Sequence, residues 1–160
     1  MFLTNIYENK TLTLLIEVVG VENLTIIHKN QYNGSLSYCV NTWKNHPNKD
    51  KYLLFNEAGV GNGWLTDSGR EHRIEFLLIC PNGNCVFIDS KYRKNKEYLF
   101  NLSNDLLKAG KVNHPIIYAF FGEVINHNDF QRFKTEIRYA PNIFIASEVN
   151  QFKQLLGGLI

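Results

Sequence analysis

The chain is poor in cysteine, in net charge and in long apolar runs, and each shortage closes off a class of protein. It has three cysteines in 160 residues: Cys39, Cys80 and Cys85. The count is odd, and the N-terminus lacks a basic stretch followed by a long apolar one. Both points argue against a disulfide-stapled secreted domain and for reduced thiols in a cytoplasmic protein. No stretch approaches the roughly 18 consecutive apolar residues of a membrane-spanning helix, so no membrane association is expected. Formal net charge is only +2, so overall charge alone does not announce a polyanionic partner. Internal repeats, low-complexity tracts and linkers are missing as well, and the length suits one domain over residues 1–160.

Aromatic residues are abundant, with 8 Tyr, 11 Phe and 2 Trp. A chain this long and this apolar can bury a real core. The slight basic excess is confined to the middle of the chain: residues 59–112 carry 8 basic and 6 acidic side chains, while the flanking segments balance. Lys91, Arg93, Lys94 and Lys96 fall within six residues there. A solvated turn is the ordinary explanation of such a cluster, and its interest lies in what precedes it.

Periodicity and breakers give an order of elements. Ile6–Gly20 reads as a helix, with Asn5 as a possible cap and Gly20 as its end, although its β-branched residues leave a strand open. Leu24–His28 reads as a strand and Asn33-Gly34 as a turn. Ser35–Trp43 reads as a strand or the start of an irregular stretch, and Tyr52–Phe55 as a short apolar run. Gly59–Gly63, with three glycines in five residues, is expected to be a mobile loop. It is neither a Walker loop nor a dinucleotide fingerprint, since no Gly-Lys-Ser/Thr and no strand–turn–helix frame it. Arg73–Cys80 and Cys85–Tyr92 flank Pro81-Asn82-Gly83-Asn84, a strong hairpin signature. Glu97–Gly110 reads as a helix, Pro115–Phe121 as a buried strand, Asp129–Glu136 as a short helix, Asn142–Ala146 as a strand, and Glu148–Leu156 as a helix ended by Gly157-Gly158. The sum is an α/β fold, a central mixed β-sheet flanked by helices.

The hairpin carries the chemistry. Strand alternation puts Asp89 and Lys91 on one face. Glu75 interrupts an otherwise apolar strand, where an unpaired carboxylate is costly. Taking the turn centre as Asn82-Gly83 places Glu75 across from about Ser90, so Glu75, Asp89 and Lys91 can converge at the open end. Two carboxylates can hold Mg²⁺ and leave room for a water and a phosphate oxygen, and a lysine can orient the water or neutralise developing charge. A surface salt bridge among Glu75, Lys91 and Arg93 on a sheet edge is the rival explanation of the same residues. Cys80 and Cys85 would need two further ligands to hold zinc, for which Cys39 and His72 or His114 are the candidates, and they read more readily as core thiols. His72, three residues before Glu75, could sit at the rim of this site, but reads more readily as a surface histidine.

Arg73-Ile74-Glu75-Phe76 followed by Ile88-Asp89-Ser90-Lys91-Tyr92 resembles the PD-(D/E)xK nuclease superfamily, over about residues 73–121. The words Ile-Asp-Ser-Lys-Tyr are similar to the form in nuclease subunits of methylcytosine-dependent restriction systems, and the layout also looks like archaeal Holliday-junction resolvases. There are departures: Glu75 stands where Asp is usual, and Asp89 where Glu is commoner. The resemblance implies a restriction-endonuclease-like fold and an Mg²⁺-dependent endodeoxyribonuclease, with Mn²⁺ able to substitute. Glu75 and Asp89 would be ligands and Lys91 catalytic. It also implies a first-helix acid, Glu8 or Glu17, with Glu17 nearer the apolar stripe. Arg70, Arg93, Lys94 and Lys96 would hold DNA, and a homodimer would cut both strands. The alternative is an inactive nuclease-fold subunit that binds DNA within a larger assembly.

Overall fold

A computed structural model describes residues 2–91, 96–122, 127–138 and 140–160, and of residues 2–7, Lys96 and Glu97 the backbone only. The elements run α1 (Phe2–Val19), β1 (Leu24–Ile27), α2 (Leu36–Lys44), β2 (Tyr52–Gly59), β3 (Arg73–Ile79), β4 (Cys85–Lys91), α3 (Lys96–Ala109), β5 (Ile116–Phe120), α4 (His127–Glu136), β6 (Ile143–Ala146) and α5 (Val149–Leu159). The six strands form one sheet in chain order. The β2–β3 and β3–β4 pairs are antiparallel, and β1–β2, β4–β5 and β5–β6 are parallel. This is the α/β arrangement expected: a mixed sheet with helices on both sides. No helix among the described residues is long and apolar enough to cross a membrane.

Each sheet face has its own core. Leu53, Phe55, Leu77, Ile79, Phe87, Ile116 and Tyr118 pack with Cys39 of α2, Leu102 and Leu106 of α3, and Phe130 and Phe133 of α4. On the other face, Leu54, Phe76, Leu78, Val86, Ile88 and Ile117 pack with Leu14 and Leu15 of α1 and Phe152 and Leu156 of α5. The five residues of β5 are all buried, as its continuous apolar sequence predicts for a strand covered on both faces.

Segment 2–19 is helical despite its β-branched residues because Leu14, Leu15 and Val19 bury on one stripe, and tertiary burial outweighs propensity. Gly20 ends the helix at φ 92, with its N–H donating to the Ile16 carbonyl at 2.8 Å, a left-handed position that suits glycine. Ser35–Trp43 is not a strand. It is α2, capped by the Ser35 hydroxyl, which accepts from the Tyr38 amide at 3.2 Å, and it packs Leu36, Cys39, Val40 and Trp43 on one side. Nor does α5 stop at Gly157-Gly158. It runs on to Leu159, because Leu155, Leu159 and Ile160 all pack into the α1-side core, which offsets about 1 kcal/mol of helix cost per glycine. The apolar C-terminal tail is therefore part of the chain's own core. The Gly59–Gly63 segment is tied at its base. Val60 and Trp64 are buried, and the Gly61 amide donates to Glu71 Oε1 at 2.7 Å.

A kink shapes the strand that carries Glu75. Glu57 in β2 has φ 58. On either side of it the alternation changes phase: Phe55 and Ala58 lie in the same core, as do Ile74 and Leu77 opposite. Glu75 sits at the change of phase, across from the kink. The left-handed conformation disfavours any side chain by about 1–2 kcal/mol, and the exposed Lys29–Glu57 ion pair returns little of that. Glu57→Val should therefore cost about 1–2 kcal/mol in a urea melt, a β-branched residue being worst there. Glu57→Gly should stay within about 0.5 kcal/mol of the wild type. Equal losses in both would mean that the ion pair, not the backbone, sets the position.

Candidate active site

The hairpin turn forms as the Asn-Gly pair dictates. The Gly83 amide donates to the Cys80 carbonyl at 2.8 Å, with Gly83 at φ 89. The register is one residue from that expected. Phe76 pairs with Ile88, so continuing the ladder puts Glu75 opposite Asp89 rather than Ser90. Glu75 is within electrostatic reach of both Asp89 and Lys91. Glu75 Oε2 accepts from the Ser90 amide at 3.0 Å, which lies between Asp89 and Lys91. Lys91 Nζ stands 2.8 Å from Asp89 Oδ2, with the two side chains only 20% and 10% exposed. This buried pair is not the exposed sheet-edge salt bridge of the rival explanation.

Burial, together with the neighbouring carboxylates of Asp89 and Glu8, pushes the Glu75 acid up to about 9 from 4.5, against hydrogen bonds from Ser90 that pull the other way. Burial works against the Lys91 ammonium, but Asp89, the Tyr98 phenol and Glu75 outweigh it and raise its pKa above the ordinary lysine value. The ammonium therefore stays charged at neutral pH.

The first helix joins the site through Glu8 and Thr11, three residues apart and so on one face. Thr11 is fully buried, and Ser90 Oγ donates to its hydroxyl at 2.8 Å. That bond fixes the rotation of α1 and brings Glu8 within electrostatic reach of Glu75. Glu17, expected as a metal ligand, does not face this site. Nine residues further along an α-helix it points to the opposite side, about 13 Å away along the axis. There it pairs with Lys153 of α5 at 3.0 Å and is about half exposed.

Of the expected DNA-binding residues, Arg93 and Lys94 lie outside the described residues, as does the Lys96 side chain. Arg70 is exposed and lines a shallow depression with Asn33, Ser35 and Arg73, which none of Glu75, Asp89 and Lys91 shares. A groove of 410 Å³ between α3 and α4, lined by Phe100, Arg132, Phe133 and Glu136 among others, also excludes all three.

Of two further residues near the pair, sequence offered His72 only as a residue that could sit at the rim, and Tyr118 not at all. His72 is partly buried and stacked on Trp64, ring centroids 3.5 Å apart. Burial lowers its pKa, against the pull of Asp89 and Asp105. Tyr118 is register-paired with Asp89 in the neighbouring strand, and Lys91 Nζ lies 5.5 Å from its ring centroid. His72 had no patterned partner, and Tyr118 was one of a continuous apolar run.

The donor set suits a divalent ion of the Mg²⁺ type. Asp89 and Glu8 stand within electrostatic reach of Glu75, and burial first, with that repulsion behind it, raises the Glu75 pKa, a cost that a cation would relieve. Mg²⁺ ordinarily takes one or two protein carboxylates and completes its shell with water and phosphate. Among the described residues no three His, Cys, Asp or Glu side chains stand together as a ligand set. No family model, curated protein or solved structure matches the chain.

Proposed function

We propose that the protein is a metal-dependent endodeoxyribonuclease of the PD-(D/E)xK type, hydrolysing DNA phosphodiesters in a restriction, mobile-element, phage or junction-processing setting. The observation that carries this reading is the partly buried Glu75 carboxyl set against the Asp89–Lys91 pair at the open end of one hairpin. A scaffold gains nothing from two acids forced together; a metal site does.

Glu75 and Asp89 would hold Mg²⁺, with Mn²⁺ able to replace it. When bound, the ion supplies Lewis-acid polarisation of the phosphate and a more acidic water. Ser90 holds the Glu75 carboxylate through its amide, and Thr11 holds Ser90. Lys91, kept charged by Asp89, offers its ammonium to the phosphate oxygens where negative charge develops. Its raised pKa makes it a poor proton acceptor at neutral pH, so its role is electrostatic rather than that of a general base. Arg93, Lys94 and Lys96 follow directly after Lys91 in sequence and would hold the backbone by charge. A site of this kind cuts one strand, so a homodimer belongs to the proposal for duplex cleavage. A cytoplasmic setting belongs to it too, supported by three free thiols, all buried.

Nicking of supercoiled plasmid tests the reading. Purified protein should nick with Mg²⁺ or Mn²⁺ and stop with chelator. Glu8→Gln should lower the rate roughly tenfold, the loss of one charge near the ligands. Glu17→Gln should leave the rate unchanged and cost under about 1 kcal/mol of stability, as an exposed pair does. DNA retardation without cleavage in either metal would favour the inactive binding subunit. Neither binding nor cleavage would end the nuclease reading.

A further inference from the structure

Lys91 leaves β4 beside Phe120, its register partner in β5. Phe120 is itself wedged edge-on against Phe130 and Phe133, with centroids 5.3 and 5.8 Å away. From that fixed wall the lysine folds back along the sheet instead of reaching into solvent. Its ammonium ends 2.8 Å from Asp89 and 5.5 Å from the centroid of Tyr118. The Tyr118 ring is 1% exposed and packed in the core on the α3 side, so it cannot swing away. Its hydroxyl is buried, with no hydrogen-bond partner among the described residues. The ring face, not the hydroxyl, is what the ammonium meets. A cation over an aromatic face gains more as water is excluded, and this lysine side chain is four-fifths covered.

We propose that Tyr118 is a positioning residue for Lys91: its ring face holds the ammonium beside Asp89, and keeps holding it when the Asp89 oxygens turn to a divalent ion. The role rests on the nuclease reading only for its effect on rate. An ammonium tethered to Asp89 alone would lose its anchor when that carboxylate took a metal. The ring supplies a second anchor that does not compete for the ion.

The test uses the full chain carrying ¹³C-labelled lysine, with the Lys91 Cε–Hε signal identified by its disappearance in Lys91→Arg. A proton held over a ring face is shifted upfield by the ring current. The Lys91 signal should be upfield in the wild type, with and without Mg²⁺. It should stay so in Tyr118→Phe and return to the ordinary lysine position in Tyr118→Leu. Should Tyr118→Leu fail to fold, Tyr118→Met, which fills irregular space flexibly, gives the same comparison. In plasmid nicking, Tyr118→Leu should lower kcat roughly 5- to 30-fold with little change in KM, and Tyr118→Phe should recover at least about a third of the wild-type rate. An unshifted Lys91 signal in the wild type would overturn the proposal. So would a rate lost equally in Phe and Leu, which would put the function in the hydroxyl. If the wild type does not cut DNA at all, the nuclease reading falls, while the shift pattern alone still decides whether the ring holds Lys91.

Discussion

Asp89→Asn and Lys91→Met, made singly, should each cut metal-dependent cleavage by roughly 10²- to 10³-fold and each cost the fold about 3 kcal/mol. The double variant should be as inactive as either, yet hardly less stable than one of them. The reason lies in the burial of the pair. At 2.8 Å, with side chains 10% and 20% exposed, neither charge has much water to fall back on. Removing one partner strands the other in a poorly solvated place, and removing both strands nothing. A double-mutant cycle by urea unfolding should therefore return a coupling of about 2–3 kcal/mol. Additive losses near zero would mean that the two groups are solvated independently and that the pair is only a surface contact. The activity arm separates structure from chemistry. A purely structural pair would let the double variant regain whatever function the chain has, whereas a catalytic pair leaves it dead. Cleavage surviving in all three variants would place the reaction elsewhere.

How much of this was legible without coordinates depends on the range of the signal. The hairpin was readable because Asn82-Gly83 and the two flanking β-rich runs are local, and β5 because a buried parallel strand needs no alternation. That Glu75 lies near Asp89 and Lys91 followed from strand geometry, and despite a one-residue error in register the Glu75 carboxylate reaches the Ser90 amide between them. Helix α2 was missed, although Leu36, Val40 and Trp43 already repeat at helical spacing. The Asn33-Gly34 turn and the aromatic, β-branched content around Tyr38, Val40 and Trp43 drew the reading towards a strand. The helix acid was misassigned for a different reason. Nearness to an apolar stripe says which side of α1 meets the sheet, but not which turn stands at the strand ends. The buried Thr11–Ser90 hydrogen bond decides that, across 79 residues of chain. Tyr118 was invisible as a site residue because, in a run of Ile, Tyr, Ala and Phe, a core aromatic and a platform for a lysine look alike.

Glu75→Gln should stabilise the metal-free protein while abolishing its cleavage, and the gain should grow with pH. The folded acid titrates at about 9 instead of 4.5, so the fold accommodates the neutral carboxyl and resists the carboxylate. A raised carboxyl pKa contributes stability that is fully present below the unfolded value, near 4.5, and is lost as pH rises through the folded one, near 9. Metal-free wild type should therefore weaken steadily from about pH 5 to pH 9. Glutamine copies the shape of the neutral acid and still accepts from the Ser90 amide, but it never ionises, so its stability should lose much of that slope. Water reaching this partly exposed side chain trims the benefit. A gain of about 1–2 kcal/mol at pH 8, or roughly 2–8 °C in Tm for a chain of this size, is the reasonable expectation. Saturating Mg²⁺ should then raise the Tm of the wild type at pH 8, since binding to the folded state alone stabilises it, and should leave Glu75→Gln nearly unmoved. A site built for a cation would explain both halves: the burial, and behind it the repulsion, that make the empty protein less stable at high pH are what a bound ion would offset. Scanning fluorimetry across pH 5–9, with and without Mg²⁺, checks it. A glutamine variant less stable than the wild type at pH 8, with an unchanged slope, would show that Glu75 is a satisfied structural carboxylate and would remove the main support for a metal at this hairpin.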